Sequence, residues 1–185
     1  MPGELRADAR RNRARILEVA EAVFAERGAA AATEEVARRA GVAIGTVFRH
    51  FPTKHDLLAA VVKDVLDRLV AEVRAMAEDP DPAAGLAAAF ARVVELAAAH
   101  KAVFDRLAET GVVVDVGGAL QPLRPAVEAL LDGAHRAGAV HDEVRADEVM
   151  ALLAATGQGA LAGGWDRELQ RRALAVVLTG LRPPP

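Results

Sequence analysis

The chain has 185 residues, a hydrophobic content of 52%, five Phe, one Trp, no Tyr and no Cys. Without cysteine there are no disulfides, thiolate metal sites or cysteine nucleophiles, which suits a reducing cytoplasm. Net charge is −3, but residues 1–54 carry ten Lys/Arg against seven Asp/Glu, while residues 55–185 carry thirteen against nineteen. A basic first quarter on an acidic body suits a local phosphate-binding surface, since charge attraction is screened beyond about 8–10 Å.

The core residues are mainly Ala, Val and Leu, and long apolar-periodic stretches outnumber short alternating ones, so the chain reads as all-α. Charges interrupt each apolar run before membrane-spanning length and no signal pattern opens the chain, which points to a soluble cytoplasmic protein with no membrane partner.

In chain order, residues 1–9 read as frayed. A first helix is expected over Arg10–Arg27, with Ile16, Leu17, Ala20, Val23 and Phe24 on one face and Gly28 ending it. Thr33 is a candidate N-cap for a second helix, with Glu34 and Glu35 in the first turn, where the helix dipole favours them. Val36, Ala37 and Ala40 face inward, Gly41 turns the chain, and Ile44–His50 form a short third helix. Pro52 stops it.

Thr53 and Asp56 form a capping-box variant that opens a long helix to about Met76, with Leu57, Leu58, Val61, Val65, Leu66, Leu69 and Val73 as its stripe. The Glu78–Pro82 segment punctuates the chain. Helices are expected beyond it at about 83–99, 101–109, 122–137, 147–162 and 167–181. Residues 111–120 (GVVVDVGGAL) favour a loop because of their double glycine. The glycine-rich run Thr156–Gly164 lies in helical context and suits close helix packing.

Two short apolar-periodic segments meeting at a glycine, followed by a third helix, are the grammar of a helix-turn-helix. The stretch Gly41–Leu58 (GVAIGTVFRHFPTKHDLL) closely resembles the TetR family of bacterial transcriptional regulators. The resemblance is strongest over about residues 10–75. It rests on Ala40-Gly41, the short segment from Ala43, Phe48-Arg49-His50-Phe51, and Lys54 at the start of the fourth helix. It implies a helix-turn-helix DNA-binding domain at 10–55 and a helical ligand-binding and dimerisation domain at 56–182.

The resemblance also implies a set of DNA-binding residues: Thr33, Ala43, Ile44, Gly45, Thr46, Phe48, Arg49, His50 and Lys54. Their chemistry fits. Gly45 lets backbone approach DNA, Thr46 offers a hydroxyl and a methyl, and Arg49 reaches a guanine edge or a phosphate. His50 and Lys54 stand where the family contacts phosphates, and Thr33 is either cap or phosphate contact. The chain departs from the family pattern twice. Phe48 replaces a frequent Tyr, losing a hydroxyl and reading as mostly core; Ala43 replaces Ser or Thr and cannot cap the recognition helix. Arg10, Arg11, Arg13 and Arg15 read as either a DNA arm or a solvated helix start.

The five histidines show no metal-ligand spacing, and no nucleophile, acid–base or phosphate-loop constellation appears, so neither a cofactor nor an enzyme is expected. The resemblance implies a homodimer paired through the last two helices, with Val149, Leu152, Leu153 and Leu161 facing Leu169, Leu174, Val177 and Leu178. It also implies a palindromic double-stranded DNA operator and a small-molecule effector that releases it, as in a repressor.

The ligand-binding residues are not identified by sequence. Phe90, Phe104, Leu66 and Leu130 are candidate walls, and Arg106 and His135 candidate anchors, though core is the first reading for each. Few aromatics suggest an apolar or amphipathic effector. The alternative is a ligand-sensing helical dimer that no longer reads DNA and acts through a protein partner.

Overall fold

The computed structural model describes the backbone of residues 2–28, 31–78, 81–109 and 115–183, with side chains except those of 2–6, 82, 106 and 109. Among these residues there are ten α-helices and no strand. They are α1 (Pro2–Arg27), α2 (Thr33–Ala40), α3 (Ile44–His50), α4 (Lys54–Met76), α5 (Pro82–Ala99), α6 (Lys101–Glu109), α7 (Val116–Leu120), α8 (Arg124–Arg136), α9 (Ala146–Gly163) and α10 (Arg167–Gly180). A 3-10 turn, Gln121–Leu123, precedes α8.

Two compact units divide the chain. Residues 1–65 and 102–113 make one, residues 66–101 and 114–185 the other. In the first unit α1 packs on α2 and α2 on α3. Its core takes Ile16, Leu17, Ala20, Val23 and Phe24 from α1, Val36, Ala37 and Ala40 from α2, Val47 from α3, and Leu57, Leu58 and Val61 from α4. Each large apolar side chain so buried contributes about 1.5–3 kcal/mol. In the second unit α5 is central, packed against α8, α9 and α10, and Leu86, Phe90, Val94, Val127, Leu130, Val149 and Leu153 are fully enclosed.

The helix ends follow local chemistry. Thr53 and Asp56 close the expected capping box: the Thr53 N–H donates to the Asp56 carboxylate at 3.0 Å and the Asp56 N–H to Thr53 Oγ1 at 3.1 Å. Asp81 caps α5 by accepting from the Ala84 N–H at 3.1 Å, and Asp166 caps α10 by accepting from Leu169 at 2.8 Å.

Three expectations are corrected. The first helix begins at Pro2 rather than Arg10, because proline suits a first turn and Asp8 and Arg11 then pair one turn apart. Thr33 does not cap α2. The cap position is Ala32, with extended backbone and no side-chain bond, and Thr33 lies one residue inside, 6% exposed. Of the segment 111–120, Val116–Leu120 is a short helix rather than loop, its glycines tolerated inside a single turn; residues 111–114 lie outside the described residues.

The glycine-rich run does serve close packing. A Cβ at Gly157 would stand 3.1 Å from Val93 of α5, and one at Gly159 would stand 2.7 Å from the Trp165 indole. Such contacts exclude larger residues and explain small side chains on the inward face of α9.

Candidate nucleic-acid interface

The reading surface is built by α2, a three-residue turn and α3. Gly41 ends α2 with φ +65 and ψ 35, the left-handed conformation that glycine adopts without penalty. Its N–H and that of Val42 close onto the last carbonyls of α2, the latter reaching Ala37 at 3.1 Å. Val47 then locks α3 to the core at 0% exposure. With Val47 turned inward, the opposite side of α3 is open. Ile44 is 37% and Phe48 42% exposed, Gly45 has nothing within 4 Å of where a Cβ would stand, and Arg49 is exposed. Thr46 and His50 are half-buried.

Phe48 is therefore not core, contrary to the sequence expectation. The short helix has room to bury one large residue, and Val47 takes that place. Ala43 occupies the cap position of α3 without a side-chain bond, as its chemistry requires. The uncapped end costs about 1 kcal/mol relative to Ser or Thr.

Lys54 is half-buried. Its ammonium donates to the Ala31 carbonyl and lies 5.9 Å over the Phe24 ring. Arg13 stacks over Phe51 at 5.3 Å, and His50 meets the same ring at 6.2 Å between centroids. On α2, Glu35 accepts from Arg38 Nε at 2.8 Å and from Arg39 Nε at 2.8 Å, while Arg39 reaches back to Glu26 of α1 at 2.7 Å. Hydrogen bonds from Arg38 first and Arg39 second hold the Glu35 carboxyl down to about 2. These arginines, which the sequence reading passed over, brace α2 and tie it to α1. Their i, i+3 and i, i+4 spacing from Glu35 was the available signal.

Residues 16–61 match the profile of the bacterial regulatory proteins of the tetR family. Residues 81–183, over half the chain, match the SbtR-like transcriptional regulator C-terminal domain. The chain belongs to the TetR family.

Among solved structures, this TetR-family chain is similar to a TetR transcription regulatory protein from Mycobacterium vanbaalenii. The two are 38% identical with a TM-score of 0.75, over 97% of this chain and 99% of that one. A TetR transcriptional regulator from Streptomyces coelicolor is 32% identical with a TM-score of 0.71, over 94% and 99%. An HTH-type transcriptional regulator of Staphylococcus aureus (strain USA300) is 34% identical over 76 residues, which is 40% of this chain and 41% of that protein. The match thus spans under half the length of that curated relative. As a TetR-family member the protein is a DNA-binding transcriptional regulator.

The rest of the TetR-family site set falls unevenly. Ile44, Gly45, Phe48 and Arg49 stand open on α3, whereas Thr33 is buried and Lys54 is engaged within its own unit. The candidate effector walls Phe90, Leu130 and Phe104 are 0%, 1% and 8% exposed, packed as core. Leu66 and His135 are half-buried, and the side chain of Arg106 lies outside the described residues. His135 Nε2 is buried with no partner among the described residues.

Of the residues expected to pair, Val149, Leu153, Leu161 and Leu174 are enclosed by their own protomer, while Leu152, Val177 and Leu178 are half-buried and Leu169 is 44% exposed. Among the exposed residues are Ala151, Ala155, Gln158 and Ala162 on α9 and the large apolar Leu169 and Val176 on α10, the last 75% exposed. No helix of the described residues is long and apolar enough to cross a membrane.

Proposed function

We propose that the protein is a homodimeric cytoplasmic repressor, without catalytic activity, that reads a palindromic double-stranded operator and is released from it by a small-molecule effector. In this reading residues 10–55 are the DNA-binding head and residues 56–182 the ligand-binding and dimerisation domain. The single observation that carries the DNA half is α3: Val47 anchors it while Ile44, Gly45, Phe48 and Arg49 face solvent. A helix held this way presents side chains and bare backbone to a major groove. Thr46 and His50 flank that surface and supply polar contacts to bases and phosphates. Ala43 supports close approach, Lys54 adds a positive charge at the edge, and Thr33, buried at the start of α2, stands beside the main-chain amides there.

The dimer half is supported by the open stripes on α9 and α10. Leu169 and Val176 lie two helical turns apart on one face, and Ala151, Ala155, Gln158 and Ala162 repeat at helical spacing on the other helix. Small residues let two such helices pair closely with their copies. Two heads so joined match major grooves about 34 Å apart, and an effector acts by favouring a head spacing that does not match. The helix α4, whose residues belong to both units, is the element that couples them.

A mobility-shift titration against DNA upstream of the protein's own gene tests the reading. A specific, salt-sensitive complex of two chains per site is expected. No specific complex at any salt concentration, with the protein folded, sinks it.

A further inference from the structure

Between α5 and α10, wholly within the second unit, runs an open groove of about 1020 Å³. Its direction follows from one contact: Lys101, just past α5, lies 3.5 Å from where a Cβ on Gly164, just before α10, would stand. The end of α5 therefore meets the start of α10, and the two helices line the groove in opposite senses. This gives the groove two chemically different ends. In that sense Ala87 and Ala91 of α5 lie toward Ala175 and Leu178 of α10 at one, and Ala98 and Ala99 lie toward Trp165, Arg167 and Arg171 at the other, all of them lining the groove.

Charged side chains of both signs line the middle and the Trp165 end. Asp166 is committed to capping α10, and Arg171 is shared with Glu168 at 2.7 Å. Arg92, midway, is held by Glu72, and Glu95 lies on the same stretch of α5. Arg167 makes no ion pair among the described residues. The apolar end is walled by the methyl groups of Ala87, Ala91 and Ala175 together with Leu178. From Ala87 to Ala99 the α5 wall extends roughly 18 Å.

The geometry points to a binding site for an amphipathic anion, its unbranched apolar chain along the alanine end and its carboxylate at Arg167 beside the Trp165 indole. Helical periodicity places Leu169 and Val176 on the side of α10 away from Arg167, Leu174 and Leu178, so a partner covering that side leaves the groove open. The site gives the effector reading a location and a ligand class. It rests on that reading only for the step from occupancy to release of DNA.

Trp165 is the sole tryptophan of the chain and reports on the groove directly. The probe is dodecanoate, titrated below its micelle concentration in parallel with dodecyltrimethylammonium, by tryptophan emission and by calorimetry without DNA. A saturable response is expected for dodecanoate, with the cation at least about tenfold weaker. Arg167→Glu and, separately, Ala175→Phe each weaken dodecanoate by about tenfold or more, with unchanged far-UV circular dichroism. No saturable response by either method, equal binding of both head groups, or full binding by both variants overturns the site. Occupancy that leaves the operator complex intact overturns dodecanoate-type release while the site stands. Release of operator DNA with no binding response in the groove overturns the site while the effector reading stands.

Discussion

The ammonium of Lys54 donates to the main-chain carbonyl of Ala31, fastening the start of α4 to the residue just ahead of the cap of α2. In the TetR family this lysine stands where phosphates are contacted, so here it serves as a brace, as a phosphate contact, or as both. The two roles separate experimentally. Lys54→Ala is expected to lower the stability measured by urea unfolding by about 1.5–3 kcal/mol, the range for a hydrogen bond to a charged group. If Lys54 also reaches a phosphate, the slope of log K against log salt becomes shallower by about 0.9 as well. Lost stability with an unchanged slope would show a brace and nothing more.

Ile44 and Phe48 stand one turn apart on α3, both more than a third exposed, on a helix that otherwise shows DNA polar groups and bare backbone. The apolar feature of a major groove is the C5-methyl of thymine. Replacing the contacted thymines by deoxyuridine, one at a time, is expected to weaken binding about fourfold per methyl, from ~0.8 kcal/mol of apolar burial. Phe48→Ala is expected to abolish the sensitivity at one position, so the two changes combined cost less than their sum. Uniform indifference to deoxyuridine, with specific binding intact, would make Ile44 and Phe48 bystanders.

Much of the head was legible in this sequence, because the turn glycine, the Thr53–Asp56 box and the apolar spacing agree there, although the expected Thr33 cap does not form. Thr53 and Asp56 close their box as written. Where legibility failed, one apolar residue had to be told from its neighbour. Val47 and Phe48 are both apolar and adjacent, and which of them is buried depends on the rotation of a two-turn helix. The Ala-rich body repeats that difficulty at larger scale. In α9 both the inward face with Val149 and Leu153 and the open face with Ala151 and Ala155 are apolar, so pattern alone does not separate core from pairing surface. The groove beside Trp165 was invisible for the same reason: alanines that line a cavity and alanines that fill a helix interior read alike.

Glu35 gives the head a definite response to acid. Its carboxyl is held down to about 2 by Arg38 and Arg39, below the ordinary carboxylate range near 4. A lowered folded value means the contribution is fully present above the unfolded range and is lost as pH falls toward 2. Urea unfolding of the natural protein and of Glu35→Gln is therefore expected to differ most at pH 5 and above and to converge as pH approaches 2. A difference that stays constant across that window would mean the carboxylate charge contributes nothing, and that Gln serves Arg38 and Arg39 equally well.

Val176 is 75% exposed in the protomer, so changing it alone is expected to alter folding stability by no more than about 0.5 kcal/mol. In a dimer paired through α10 it would lie near the two-fold axis and meet its own copy, so that Val176→Asp buries two like charges against each other. Sedimentation velocity is expected to show the variant as a folded monomer at concentrations where the natural chain is dimeric. Operator affinity should fall with it, since one head gains only half the contacts. Leu169→Asp serves as the companion, two turns earlier on the same face. If both variants sediment with the natural protein, the subunits pair through another surface, and the stripe on α10 is open for a different reason.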